Sequence, residues 1–137
     1  MTIKGIDFVQ PISAETAKSI AAEGYCFAGR YLVPPSYAWK RLTRAEAEGI
    51  TEAGMDIVSV FETTASRPEG GAVNGHADGQ AAYVEAVGID QPVGSAIYFT
   101  VGGSPCRSER VLWRRRMVEH ERGRRIDDEC ARRGENH

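Results

Sequence analysis

Short apolar stretches alternate with helix-like segments over the first hundred residues of the chain. Four stretches, at residues 3–9, 25–32, 55–62 and 95–101, have the length of strands and are rich in apolar and β-branched side chains. Helical patterns fill the three intervals between them. This alternation, at about 25–30 residues per unit, predicts consecutive βαβ units. The expected fold class is therefore α/β, with four parallel strands and three helices.

Capping residues mark where the three helices are expected to begin and end. Ser13 can cap the first helix, and Asn74 can cap the third, which is expected to end near residue 87. Thr43 and Glu46 have the spacing of a capping box, in which Thr43 accepts the amide of Glu46 and Glu46 reaches back. Three glycines follow the helices and can adopt the left-handed conformation that ends a helix. They are Gly24, Gly54 and Gly88.

Polar side chains gather where the predicted strands end. Right-handed crossovers bring the carboxyl ends of parallel strands to one edge, and ligands of α/β folds bind at that edge. The residues expected there are Asp7, Arg30, Tyr31, Glu62, Tyr98 and Thr100.

Two of these residues, Asp7 and Glu62, are carboxylates that could divide acid and base roles if their surroundings separate their pKa values. Glycoside hydrolysis is a common use of such a pair. Arg30, expected beside them, would hold one carboxylate ionised. The alternative interpretation is that Asp7 and Arg30 form a structural ion pair and that Glu62 is a solvated strand end.

Composition limits the class of protein without adding a cofactor site. The chain has 137 residues, of which 42% are hydrophobic and 26% charged, values typical of a globular domain and not of collagen or a disordered chain. No apolar run approaches the roughly 18 residues of a membrane span. Neither a dinucleotide-binding nor a phosphate-binding glycine motif is present, so no cofactor is predicted. The three cysteines, Cys26, Cys106 and Cys130, lack metal-ligand spacing, so no metal is predicted. The first residues lack the apolar core of a secretory signal, which favours a cytoplasmic location.

Charge divides the chain into two parts. Residues 1–103 carry seven basic and twelve acidic groups, a formal charge of −5, whereas residues 104–137 carry ten arginines and seven acids, a charge of +3. We therefore predict an α/β domain at 1–103 and an arginine-rich tail, helical or disordered, at 104–137. Three interpretations of the tail stay open: a charged helix covering the sheet edge, an arm that binds nucleic acid, or the product of a shifted reading frame.

Five segments, in order, resemble a known family. They are Gly5-Ile6-Asp7, Phe27-Ala28-Gly29-Arg30-Tyr31-Leu32, Lys40-Arg41-Leu42-Thr43-Arg44-Ala45-Glu46-Ala47, Phe61-Glu62-Thr63-Thr64-Ala65 and Ala96-Ile97-Tyr98-Phe99. They are similar to the bacterial glycoside-hydrolase-like TIM-barrel domain of unknown function (the DUF1906 type), which is itself distantly similar to the glycoside hydrolase family 25 lysozymes. The resemblance implies a (β/α)₈ barrel, of which residues 3–101 would be the N-terminal half. It also implies a polysaccharide substrate, with peptidoglycan of the cell wall as the usual candidate.

By this resemblance Asp7 and Glu62 match acids that end strands 1 and 3, and Arg30 and Tyr31 match the pair that ends strand 2. The fourth strand of the family usually reads Tyr-Phe-x-Val-Asp, whereas this chain has Gly102 in place of the acid. The expected function is carboxylate-catalysed polysaccharide hydrolysis, with Arg30, Tyr31, Tyr98 and Thr100 binding substrate and with this chain inactive because it is truncated.

The resemblance also leaves other functions and partners open, and it implies an alternative location, with action outside the cytoplasm at the cell wall. The alternative function is a non-catalytic module that binds carbohydrate. Nucleic-acid binding through the tail is disfavoured, because seven acids are interspersed among its ten arginines. No membrane partner is expected. The open edges of a four-stranded parallel sheet predict self-association.

Overall fold

The structure, a computed structural model, describes residues 3–101, and within them the predicted strands and helices are all present. The four strands are β1 (Gly5–Asp7), β2 (Phe27–Tyr31), β3 (Asp56–Phe61) and β4 (Ile97–Phe99). The three α-helices are α1 (Ala14–Ala22), α2 (Arg44–Glu52) and α3 (Gly71–Gly88). Short 3-10 turns lie at Pro35–Tyr37 and Arg67–Gly70. The α/β fold class is therefore confirmed.

The strands form one parallel sheet in which chain order and spatial order coincide, β1-β2-β3-β4. The three helices contribute to a single apolar core, because residues of each one join the same buried cluster as alternate residues of the sheet. The helices therefore cover one face of the sheet. The cluster is built from Ala17, Ala28, Leu32, Leu42, Ala47, Ile50, Met55, Ala86 and Ile89.

The predicted caps of the first two helices are confirmed, with one correction. Ser13 accepts the Thr16 amide at 3.1 Å, and Thr43 accepts the Glu46 amide at 3.3 Å. The second half of the capping box was wrong. The Glu46 carboxylate binds Arg30 and the amide of Ile12 instead of turning back to Thr43. A charged partner binds a carboxylate more strongly than a neutral amide does.

The start of α3 also differs from the prediction. The helix begins at Gly71, so Asn74 lies inside its first turn and is not its cap. The Asn74 amide donates to the carbonyl of Arg67 at 2.8 Å, and the Arg67 guanidinium pairs with Asp78 at 2.8 Å. These two contacts fix the preceding 3-10 turn against the helix and replace the expected cap.

The predicted boundary after residue 103, the tail at 104–137 and the Gly102 position lie outside the described residues. Of the helices within residues 3–101, none is long and apolar enough to cross a membrane.

Candidate active site on the open face of the sheet

The strand register sorts the predicted site residues onto two faces. Asp7 is level with Gly29, while Tyr31 is level with Val60 and, through β4, with Tyr98. Because side chains alternate along a strand, these residues share the face that the helices do not cover. We call it the open face; its strand residues are Gly5, Asp7, Phe27, Gly29, Tyr31, Asp56, Val58, Val60 and Tyr98. The same alternation extends this face to Glu62 and Thr100, which directly follow β3 and β4. The closed face, packed by the helices, holds Ala28, Arg30, Leu32, Ser59, Phe61 and Ile97.

The Asp7 carboxylate lies over the neighbouring strand at a glycine. A methyl group placed on Gly29 would come within 3.2 Å of Asp7 Oδ1, so the missing side chain leaves room for this carboxylate. Asp7 itself is exposed, although it stands in a strand. The next residue of β2 on the open face is Tyr31, two positions further along. Asp7 and Tyr31 are therefore neighbours on one surface.

Tyr31 connects the two predicted acids electrostatically. Partial burial raises the pKa of its phenol above 10.0, and the negative charges of Asp7 and then Glu62 raise that pKa further. Arg30 opposes the shift weakly from the other side of the sheet. The phenol therefore stays protonated at neutral pH and can donate a hydrogen bond between two acceptors. Asp7 and Glu62 thus both lie near enough to Tyr31 for their charges to act on its phenol.

Arg30 does not belong to that group. It is fully buried on the closed face, where Nε and Nη2 bind the Glu46 carboxylate at 2.7 and 3.0 Å. Nη1 donates to the carbonyls of Phe8 and Val9 at 2.7 and 3.3 Å. The expected pairing with Asp7 is replaced by pairing with Glu46, because neighbouring residues of a strand point to opposite faces. The contact with substrate expected of Arg30 would require the guanidinium to leave all these partners.

Tyr98 and Thr100 extend the open face along β4. Tyr98 is level with Val60 and is 58% exposed. The amide of Thr100 donates to the carbonyl of Phe61 at 3.3 Å, so parallel pairing continues past the last residue of β4. Their roles in binding substrate remain predictions. What the structure adds is that both share a face with the acids.

Lys40 is a polar residue near this edge that the sequence analysis missed. Its side chain is buried, and Nζ donates to the carbonyl of Thr63, next to Glu62, at 3.3 Å. Nζ also lies 4.9 Å from the centre of the Tyr31 ring. An aromatic cluster before the lysine, with Tyr37 and Trp39, was the available clue. The partner carbonyl could not be found because it belongs to a distant segment.

Other features of the described chain add no second site. Within residues 3–101 no three side chains of His, Cys, Asp or Glu come together as a metal site would require. A shallow depression lies on α3, lined by Gly75, His76, Gly79, Gln80, Tyr83 and Val84. All of its lining belongs to a single helix, so no second element supplies converging polar groups.

Comparison with known proteins agrees with the resemblance in the sequence. The uncharacterized protein FadG of Bacillus subtilis (strain 168) is 32% identical over 108 residues, which are 72% of this chain and 18% of that protein. The chain thus spans under a fifth of the length of this curated relative. No solved structure matches. The model of the Rv2525c-like, glycoside hydrolase-like domain matches residues 18–123, beyond the predicted boundary at 103. This chain belongs to the Rv2525c-like glycoside hydrolase-like domain family.

Proposed function

We propose that the domain binds a polysaccharide of the peptidoglycan type on its open face and that Asp7 and Glu62 are the carboxylates for acid/base hydrolysis. The observation that carries the proposal is the strand register, which places Asp7 and Tyr31 on the uncovered face, with Glu62 directly after β3. The pKa of the Tyr31 phenol, raised by burial and then by the charges of Asp7 and Glu62, agrees with this placement. Glycoside hydrolysis uses a pair of carboxylates that flank the scissile bond, and Asp7 and Glu62 are two carboxylates at one end of this uncovered surface. Membership of the glycoside hydrolase-like family supports the same chemistry.

The roles of the three groups follow from their chemistry. One carboxyl group protonates the leaving oxygen of the glycosidic bond, and the other activates water or attacks the sugar carbon. Tyr31, protonated at neutral pH, donates a hydrogen bond to a hydroxyl of the sugar or to the carboxylate that remains charged. Tyr98 and Thr100 bind the neighbouring sugar through their hydroxyl groups.

The winding of the sheet supports the barrel half that the resemblance implies. Strands in chain order with all helices on one face wind in a single direction, as in a (β/α)₈ barrel. A doubly wound sheet would reverse its strand order and carry helices on both faces. The open face would then correspond to the inner surface of such a barrel, and its carboxyl end to the catalytic end.

We expect the 137-residue chain to bind without turning over substrate. Gly102 stands where the family pattern has an aspartate at the end of the fourth strand, so one acid of the expected set is absent from the sequence. Asp7 and Glu62 keep the binding surface charged and hydrogen-bonding, which is sufficient for retention of a glycan. Binding and cleavage are therefore separate expectations.

The test measures glycan binding and glycan cleavage on the same protein preparation. Purified protein is mixed with insoluble, dye-labelled peptidoglycan, and dye release and protein retention are recorded for the wild type, Asp7→Asn and Glu62→Gln. Asp56→Asn is the matched control, because Asp56 is an exposed acid on β3 at the opposite end of the strand. We expect retention without release, weakened by the first two substitutions and unchanged by the control.

Each other outcome has a defined meaning. Dye release that disappears in Glu62→Gln would confirm hydrolysis and overturn the expected inactivity. Retention that is insensitive to Asp7 and Glu62 would place binding elsewhere, and no retention would reject peptidoglycan as the ligand.

The second candidate is a module that only binds carbohydrate. It is favoured by the commitment of Arg30 to Glu46, which leaves the acid pair without the guanidinium expected beside it. If the domain only binds carbohydrate, Gly102→Asp should leave dye release from labelled peptidoglycan at zero.

A further inference from the structure

The loop between β2 and α2 carries a large aromatic side chain in solvent. Trp39 is 59% exposed, although tryptophan is among the residues that gain most from burial. The loop follows the carboxyl end of β2 and so leaves the sheet beside Tyr31. The other exposed residues of this loop carry no large apolar side chain: Pro35, Ser36, Ala38 and Thr43. An isolated exposed ring among small residues differs from the broad apolar patch of a protein interface.

The backbone of this loop is held in one conformation by its own hydrogen bonds. The amide of Tyr37 binds the carbonyl of Pro34 at 2.9 Å, and the amides of Lys40 and Arg41 bind the carbonyl of Tyr37 at 3.0 and 3.1 Å. Arg41 then forms an isolated parallel bridge with Tyr31. Trp39 therefore stands on a pre-formed turn whose ordering is complete before any ligand arrives.

The Lys40 ammonium joins this ring to the site. Nζ lies 5.3 Å from the Trp39 ring centre, 5.7 Å from that of Tyr37 and 4.9 Å from that of Tyr31. A cation at such distances is attracted to the face of each ring. The same ammonium binds the Thr63 carbonyl next to Glu62. Among the described residues Lys40 forms no ion pair with a carboxylate, so the contacts of its ammonium there are with these three rings and this carbonyl.

We propose that Trp39 is a stacking platform for one sugar ring of a polysaccharide and that Lys40 is the positioning residue that holds the platform beside the acids. The apolar C–H face of a sugar covers an aromatic ring, while its hydroxyl groups stay in water. Lys40 connects Trp39 to Tyr31, so the stacked sugar adjoins the sugar on the open face. The inference deepens the proposed function and rests on its carbohydrate ligand.

The test uses the full chain with Trp113→Phe, which leaves Trp39 as its single tryptophan. The probe is the soluble tetramer of N-acetylglucosamine, with the glucose tetramer beside it, titrated against tryptophan emission and by calorimetry. Trp39→Ala should raise the Kd for the bound tetramer about tenfold, and Trp39→Phe about twofold. Tyr83→Ala, which removes a similarly exposed ring from α3, should leave Kd and the melting temperature unchanged.

Lys40 is tested by a readout that a loss of stability alone would not move. Lys40→Met keeps the aliphatic stem but removes the charge, so the Trp39 ring should become more mobile. Acrylamide should quench the Trp39 emission more strongly, and the anisotropy of that emission should fall. Both are measured at a temperature where circular dichroism shows an intact fold. Lys40→Arg should restore both and recover most of the affinity.

The outcomes separate this inference from the proposed function. Equal Kd values for the parent and Trp39→Ala, an equal loss in Tyr83→Ala, or no binding of either tetramer would overturn the stacking platform. If binding depends on Trp39 while Asp7→Asn and Glu62→Gln change nothing, the platform stands and the acid-based function fails. If the acids matter for peptidoglycan retention and Trp39 does not, the reverse holds.

Discussion

The two faces of this sheet use charge in opposite ways. On the closed face the fully buried Arg30 binds the buried Glu46, and this ion pair joins β2 to α2 inside the fold. On the open face Asp7 and Glu62, which form no ion pair within residues 3–101, act on a phenol whose pKa is raised first by burial and then by their charges. The adjacent residues Arg30 and Tyr31 therefore lie on different surfaces, Arg30 in a buried ion pair and Tyr31 on the face proposed to bind the ligand. Strand alternation alone separates them.

The strongest test of this division is removal of the buried cation. Arg30→Met should lower the free energy of unfolding by about 3–5 kcal/mol, because Glu46 is left charged in the core. Urea unfolding followed by circular dichroism measures the change. The double variant Arg30→Met with Glu46→Leu should recover most of the loss. Arg44→Ala, which breaks a pair about half exposed on both sides, should cost under ~0.5 kcal/mol.

The open face is not loosely packed throughout, because Gly5 lies directly against Phe27. A methyl group on Gly5 would overlap the ring of Phe27, its partner on β2. Gly5→Ala should therefore cost about 1–3 kcal/mol. In a Phe27→Ala background the same substitution should cost almost nothing. Gly75→Ala is the control, since no atom lies within 4 Å of its added methyl group, and it should stabilise α3 by about 0.5–1 kcal/mol.

Neutralising the open-face acids should change titration and leave stability almost intact. Asp7→Asn and Glu62→Gln should each alter the free energy of unfolding by less than ~0.5 kcal/mol. Each should lower the pKa of Tyr31 toward 10.0, with Asp7→Asn having the larger effect. Phenolate absorbance, taken as the difference from Tyr31→Phe, measures the shift. An unchanged Tyr31 titration in both variants would break the grouping of these residues.

The smallest effect is on stability in alkali. The folded pKa of Tyr31 lies above its unfolded value of 10.0, so the folded state keeps this proton longer. Its contribution is complete below pH 10 and is lost as the pH rises through the folded pKa. Wild-type protein should therefore lose slightly more stability than Tyr31→Phe between about pH 9 and 11. Parallel urea curves at several pH values compare the two slopes; equal slopes would contradict the raised pKa.

The sequence predicted elements better than contacts. Apolar alternation predicted the strands and helices of residues 3–101, and Gly24 and Gly54 have the left-handed conformation predicted for them, since both signals depend on local preference. The predicted stop at Gly88 was wrong, because α3 includes Gly88 and the positive φ, 62°, falls at Asp90. The face on which Arg30 lies could also have been predicted, because Arg30 is next to Tyr31 and neighbouring side chains of a strand point to opposite faces. The ion-pair partner of Arg30 could not be predicted, since Glu46 also fits the local rule for a capping box. Lys40 was missed because Thr63, its carbonyl partner, is brought to it only by the sheet.

The sheet order has a consequence for how the chain is made. Each strand pairs with the strand synthesised just before it, across a single helix. No pairing within residues 3–101 therefore waits for a strand made later than the next one, and folding can proceed while the ribosome is still extending the chain. Assembly would then add one strand–helix unit at a time from β1 toward β4. At each stage up to β4 the newest strand is an exposed edge, and translation supplies the next strand to cover it.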